Sequence, residues 1–497
     1  PRDPIYWDRD ALTAEEKRVF DICNGCRLCF NLCPSFPALF DAVDALDVDD
    51  PAPPESTGVE VDAHGNHAAA TGHLHAAPPR ADIMGQRDAL ARLPASVTQK
   101  VVDLCYQCKL CDPICPYTPP HEFAVDFPRL MLRHKAVDAR EHGVRLQDRV
   151  LGDPDLVGRL GTAMPLIANA GTRVRLNRSL MQATVGIHRD RKLPTFASQT
   201  FRKWYARRPA PPPPDQVTGR KVVLFYTCSV QWNEPQVGRA AVEVLEHNGV
   251  TVYAPEFQCC GMPALDGGDV DRATRQAAHN VEILAPYVEA GCDIVCPGPT
   301  CSFMMKKEWA EYLGDDRPAP GQARAVAEHT YDLMEYLYAL RKDKQLRQDF
   351  TTEVGPIAYH VPCHLKVQRI GFRSRDILKK LPGARVRLVD KCSCMDGTWG
   401  MKKEYYELSK KWAKPMLDQM TTDADARLSS DCLIAKLQIE ENTGKPVQHP
   451  IEILWEAYGG EGLAARRAAT AGGAGDAGGD GDAAVAGEPP TGGGQAG

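Results

Sequence analysis

CNGCRLCFNLCP (residues 23–34) and CYQCKLCDPICP (residues 105–116) decide how this chain of 497 residues is read. Each run spaces four cysteines as C-x2-C-x2-C-x3-C and closes on a proline, Pro34 in the first and Pro116 in the second. Such short spacings let three thiolates of one tight loop reach a common centre. The proline has a fixed φ and no N–H, which ends the loop. Structural zinc prefers two separated C-x2-C pairs, so two unbroken runs of four fit it poorly. The chain has 18 cysteines in all. Its charged opening, PRDPIYWDRD, lacks the apolar core of a signal peptide, so the expected compartment is reducing and the cysteines argue for metal or redox chemistry rather than disulfides.

The spacing is similar to that of bacterial two-cluster ferredoxins, in which the fourth cysteine starts the next segment and serves the other cluster. That implies two [4Fe–4S] clusters, one on Cys23, Cys26, Cys29 and Cys115, the other on Cys105, Cys108, Cys111 and Cys33. Arg27, Lys109 and Asp112 lie within the loops as charges that would tune them. A mostly helical, ferredoxin-like domain is expected over 15–128. It is interrupted near 41–93 by DALDVDDPAPPEST and HGNHAAATGHLHAAPPR, which are too poor in large apolar residues to build a core. His64, His67, His73 and His75 in that excursion could bind a metal, but a solvated loop with chance histidines is the better reading.

From residue 215 the pattern changes to strands alternating with helices. KVVLFYT (221–227) predicts a buried strand, 235–248 a helix, 250–253 a strand, 269–290 a long helix and 292–296 a strand. The alternation returns with strands at 357–361 and 386–389 and helices at 374–381 and 398–420. This implies parallel α/β layers. Cysteines follow the strands: Cys228, Cys259, Cys260, Cys296 and Cys301 in the first unit, Cys363, Cys392, Cys394 and Cys432 in the second. Cys228 and Cys363 are 135 residues apart, Cys259 and Cys392 133, and Cys301 and Cys432 131. Near-constant offsets argue for an internal duplication. Loops at strand C-termini converge on one crevice in open α/β sheets, so each unit could gather its thiols around a further iron–sulfur cluster or zinc. Cys292, inside a strand, reads as an ordinary buried cysteine.

The remaining composition narrows the classes. Lys and Arg number 59 against 65 Asp and Glu, a net charge of −6, which gives no reason to expect nucleic acid as a partner. No apolar run approaches the ~20 residues that span a bilayer. Residues 129–208 nevertheless hold 17 basic against six acidic residues. This basic helical stretch, ending in a PAPPPP linker by residue 214, is expected to dock an acidic partner or an anionic membrane surface, or to leave its arginines in water. The Gly/Ala/Asp-rich tail at 461–497 should be disordered.

Cys228…Cys259-Cys260-Gly261…Cys301 resembles the cysteine-rich CCG domain, found twice in the heterodisulfide reductase B subunit and twice in the C subunit of anaerobic glycerol-3-phosphate dehydrogenases. The latter likeness is broader, taking in LPTFASQTFRKWY (193–205), CCGMP (259–263), YHVPCH (359–364), GTWGMKKE (397–404), DCLIAKLQIE (431–440) and HPIEIL (449–454). The resulting expectation is an α+β then α/β chain: a two-cluster ferredoxin-like domain followed by CCG domains at 215–330 and 331–460. The resemblance implies a cytoplasmic iron–sulfur electron-transfer subunit, not itself catalytic, that passes single electrons from a flavoprotein dehydrogenase towards membrane quinone, with peripheral attachment to the inner face of the membrane. The competing readings are a thiol/disulfide reductase acting at Cys259 and Cys260, and an electron-transfer partner in peroxide defence. The second unit departs from the family, with Cys392-Ser393-Cys394 in place of Cys-Cys-Gly. His360 and His364 flank Cys363 and could donate a ligand, although hydrogen-bonded histidines are the plainer reading.

Overall fold

The computed structural model describes residues 1–47, 90, 92–314 and 318–463. The four histidines of the excursion and the tail from residue 464 lie outside them. Two four-stranded sheets form the C-terminal half. One contains β1 (Lys221–Leu224), β2 (Thr251–Tyr253), β3 (Asp293–Cys296) and β4 (Thr330–Asp332), in the order β2-β1-β3-β4. The other contains β5 (Pro356–His360), β6 (Arg385–Val389), β7 (Arg427–Ser430) and β8 (Val447–Gln448), in the order β6-β5-β7-β8. Every pairing is parallel, with Val222 opposite Val252 and Asp293, and Ile357 opposite Val386 and Arg427. The unbroken apolar run of β1 suits this geometry, because a parallel sheet is covered on both faces; Val222, Val223 and Leu224 are fully buried.

The crossover helices follow from their caps. Pro235–His247 opens with its proline in the first turn, where the missing N–H costs nothing. In Val270–Glu289 the Asp269 carboxylate accepts from the Arg272 N–H at 3.0 Å. The expected long helix over 398–420 starts only at Tyr406; Trp399–Met401 form a 3₁₀ turn instead. Gly397 has φ +43°, and a Cβ on Gly400 would sit 2.5 Å from the Met395 carbonyl, so GTWG is bent into a tight loop. After the last helix Gly460–Gly462 make one more 3₁₀ turn, and Leu463 is buried.

The N-terminal region is helical among the described residues. Arg9–Cys26 is capped by Asp8, which accepts from the Ala11 N–H at 2.7 Å, and it stops where Arg27 turns left-handed at φ 53°. Ser35–Asp47, Ala95–Leu104 and Phe127–His142 pack around Leu12, Phe20, Phe36, Phe40, Val101 and Met131. That core continues into the second sheet through Ala358, Val389, Cys394, Trp399 and Met416. A further apolar core runs without a break from Val222, Leu245 and Leu337 to Ile357, Ile377 and Leu454, so the two sheets share one interior. No described helix is long and apolar enough to cross a membrane.

Candidate metal centre

Strand order sets the position of the thiols. In each sheet the first strand lies between two later ones, so the loops leaving the sheet gather at the C-terminal ends. Cys228 opens the turn of helix after β1, Cys259 and Cys260 lie in the loop after β2, Cys296 ends β3, and Cys301 lies in the helix Pro299–Phe303. Cys228 Sγ is 4.0 Å from Cys259 Sγ. Cys259, Cys260, Cys301 and Cys296 continue the chain of neighbouring thiols. Gly261 is required beside them: its φ is +94°, and a Cβ would lie 3.1 Å from the Ala273 backbone. The Asp155 carboxylate accepts from the Cys259 N–H at 2.7 Å and from Trp232 Nε1 at 3.0 Å. Cys292 lies at the opposite end of β3 beside Lys221 and Asp293, away from the cluster of thiols.

The second unit gathers fewer. Cys363 Sγ is 3.7 Å from Cys392 Sγ, and the Cys394 N–H donates to Cys392 Sγ at 3.3 Å. Cys432 lines the same small cavity, and burial pushes it up to about 11. His360 lines the same small cavity, with both ring nitrogens engaged. Its Nε2–H donates to the Lys391 carbonyl at 3.1 Å and its Nδ1 accepts from Ser430 at 3.0 Å. His364 likewise spends both nitrogens, Nε2–H on the Gln107 carbonyl at 3.0 Å and Nδ1 on the Thr300 hydroxyl at 2.8 Å. Burial lowers both rings to about 4, so both are neutral.

In the N-terminal region Cys23 and Cys26 occupy the last turn of their helix, and Cys105 directly follows Ala95–Leu104. Cys23 has Cys29, Cys115 and Cys26 as its neighbouring thiols. Cys33 has Cys105, and Cys111 has Cys108 and Cys105. Each run therefore meets the fourth cysteine of the other. Arg27, Gln107 and Lys109 have φ of 53°, 56° and 57°, a left-handed conformation rare outside glycine and concentrated at functional sites. Lys109 Nζ is 3.2 Å from Glu308 Oε1, with both side chains almost fully buried. Burial would raise Glu308, but Lys109 and Arg129 hold its carboxyl below the usual range.

Tyr106 was not singled out in the sequence. It lies within the first Cys-x2-Cys of its loop, yet its hydroxyl reaches 3.5 Å from Cys392 Sγ and 3.7 Å from Cys394 Sγ. Cys392 and Cys33 in turn act on Cys108, so the second unit's thiols abut the loop of the second run. A tyrosine between two cysteines carries no sequence signal of a partner almost 290 residues away.

The donor set fits iron–sulfur clusters. Burial pushes most of these thiols up, and neighbouring thiols add to it: Cys29 is raised to about 12 by burial, then by Cys115 and Cys26. Cys392 is lowered, by hydrogen bonds from Cys363 and Cys394. Crowded buried thiols ionise together only around a cationic centre. Among the described residues no three thiols lie mutually within 4.8 Å. A tetrahedral zinc site with ~2.3 Å Zn–S bonds would need thiolates about 3.8 Å apart.

Thiols nested on the strand-end loops of small parallel sheets define the cysteine-rich class of redox protein, and the profile of the CCG family, described as cysteine-rich domain, matches residues 222–306. The chain is 29% identical over 320 residues to the C subunit of the anaerobic glycerol-3-phosphate dehydrogenase of Escherichia coli K12, covering 63% of this chain and 77% of that one. It is 31% identical over 221 residues to lactate utilization protein A of Bacillus cytotoxicus, covering 43% of this chain and 87% of the relative. For lactate utilization protein A of Bacillus pumilus the identity is 33% over 187 residues, covering 37% and 75%. The chain belongs to the CCG-containing family that holds these proteins. With that membership comes a general role in oxidoreductase electron transfer on iron–sulfur clusters.

Proposed function

We propose that this chain is the electron-relaying subunit of an oxidoreductase complex, taking single electrons from a flavoprotein dehydrogenase and passing them towards membrane quinone. The observation that carries the reading is the exchange of fourth cysteines between the two N-terminal runs. Cys23, Cys26, Cys29 and Cys115 would hold one [4Fe–4S] cluster, and Cys105, Cys108, Cys111 and Cys33 the other, in a ferredoxin-like domain. Cys228, Cys259, Cys260, Cys296 and Cys301 would hold a further centre in the first CCG unit. Cys363, Cys392, Cys394 and Cys432 are a reduced version in the second. Identical strand order in the two sheets supports a duplication. Clusters of this kind store and release one electron each, and the protein tunes them through burial, hydrogen bonds and charge. This chain's part is to hold thiolates, exclude water from them and place them close together; Tyr106 and His364 fix the N-terminal loop against both CCG units.

Charge and exposure support a surface for a partner on the helices over residues 144–185. Between residues 144 and 185 every exposed charged residue is arginine: Arg145, Arg149, Arg159, Arg173 and Arg175. Among the same helices Leu160, Leu166, Ile167, Leu176 and Leu180 are 61–83% exposed. Large exposed leucines flanked by arginines suit an anionic bilayer, with the apolar side chains among acyl chains and the guanidinium groups on phosphates. Anaerobic purification with iron, sulfide and zinc quantitation, plus EPR of the reduced protein, tests the cofactor. About eight irons mean the two cubanes alone, about twelve to sixteen mean filled CCG units (four irons per cluster), and zinc without sulfide overturns the reading. Absence of binding to anionic phospholipid vesicles at low salt removes the bilayer from it.

A further inference from the structure

A cleft of about 530 Å³ lies beside segment 256–258 and shares no lining residue with the apolar cavity at Cys228, Cys259, Cys260 and Cys301. One of its walls is the helix Val270–Glu289. Ala273, Ala277, Val281 and Leu284 turn into the core on one face of that helix. Arg272, Arg275, Gln276 and His279 recur at three-to-four-residue spacing on the opposite face and line the cleft. Trp232 forms another wall. Its Nε1–H donates to Asp155 at 3.0 Å, and its ring lies so near Gly158 that a Cβ there would come within 2.2 Å of the indole. The indole is thereby held in place as a flat platform on which an aromatic ring can stack. The polar groups divide into engaged and free. Arg272 pairs with Asp153 at 2.9 Å, Arg159 Nε donates to the Asp155 carbonyl at 3.3 Å, and the Asp155 carboxylate accepts from Trp232 and the Cys259 N–H. Arg275, His279 and Glu256 make no hydrogen bond or ion pair among the described residues. Gln276 is 7% exposed, and its buried Oε1 has no hydrogen-bond partner among them. A carboxamide oxygen left unpaired in the interior is costly, and an N–H of a ligand in the cleft would pair it.

We propose that this cleft binds an adenine nucleotide, with the base stacked on Trp232 and its edge on Gln276, the ribose on Glu256 and the phosphate on Arg275 and His279. A carboxamide matches adenine because it both accepts and donates: Oε1 takes the N6–H and Nε2 gives to N7. Guanine presents two acceptors at the same edge and satisfies only the amide's donor. Arg275 and His279 stand one helical turn apart, so their N–H groups can meet on one anion. Glu256, a free carboxylate, accepts from a ribose hydroxyl. An apolar ligand would bury Gln276 and Arg275 without partners, and a bare anion would leave both Trp232 and Gln276 unused. The site lies outside the thiol sets, so it stands or falls separately from the electron-relay reading.

The test uses the full chain with its clusters in place and equilibrium dialysis against radiolabelled ADP. One equivalent should bind per chain, and GDP, ribose 5-phosphate and inorganic phosphate should each compete at least tenfold more weakly than unlabelled ADP. Arg275→Ala, at an exposed position, and Gln276→Leu, which keeps the side chain's size, should each weaken binding at least tenfold while iron, sulfide and the EPR signal stay at parent values. If Gln276→Leu loses iron, Arg275→Ala decides alone. Absence of saturable ADP binding, competition by inorganic phosphate as strong as by ADP, or binding unchanged in Arg275→Ala overturns the site. Competition by GDP equal to that by ADP overturns the placing of an adenine edge on Gln276.

Discussion

The two four-stranded sheets have the same strand order and different surroundings. The first gathers five thiols beside its required Gly261, and four of them, Cys228, Cys259, Cys260 and Cys301, line a cavity. The second has a Cys-Ser-Cys loop whose thiols touch Tyr106 and lie beside Cys33 and Cys108 of the N-terminal region. The family profile matches the first unit, at 222–306. The same strand order therefore serves two different settings, an apolar cavity in the first sheet and a second set of cysteines in the other.

The sharpest way to break this contrast is to remove one thiol from each place. Cys260→Ser should strip the first unit's centre and lower total iron by about four per chain. Cys105→Ser should cost a similar amount from the N-terminal region, leaving the other cubane partly intact. Equal and small losses in both, by iron and sulfide assay, would erase the distinction. Next in size is the tie between the N-terminal loop and the first unit. Lys109→Met leaves Glu308 buried with only Arg129 at 3.6 Å, and denaturant unfolding should show a loss of about 3–5 kcal/mol.

A pH effect separates the N-terminal helices from both units. Burial alone would lower His134, but hydrogen bonds to Asp138 and Glu16 raise it to about 9, against an ordinary 6.5. Asp138 also pairs with Arg9. A raised folded value means stability that is complete below pH 6.5 and is lost as pH climbs through 9. Unfolding midpoints should fall by the equivalent of about 2–3 kcal/mol across that window, and His134→Gln should flatten the fall. The smallest effect belongs to the tie with the second unit. Tyr106→Phe deletes a hydroxyl that touches two thiols, so stability should drop by only about 0.5–1.5 kcal/mol, while the EPR line shape of the reduced protein changes more than in His134→Gln.

Much of this was legible in the residues. The two C-x2-C-x2-C-x3-C runs marked the N-terminal cysteines as a group, and apolar KVVLFYT marked β1. The strands β4, β7 and β8 were not legible: Thr330–Asp332, Arg427–Ser430 and Val447–Gln448 are short and polar, and exist only because a neighbouring strand offers its edge. The late start of the helix at Tyr406 was hidden because MKKE is helix-friendly, while the two glycines before it, Gly397 and Gly400, bend the chain into a tight loop. The cavity was invisible for a different reason. Its walls come from many stretches scattered between residues 150 and 452, and no single stretch announces an empty space.

The interior common to both sheets has a practical outcome. Val222, Leu337, Ile357 and Leu454 belong to one apolar mass, so a chain severed between residues 342 and 356 would expose two raw hydrophobic faces. Neither half could be expressed as a stand-alone module, and a hybrid that borrows one unit from a relative would have to borrow the matching face of the other.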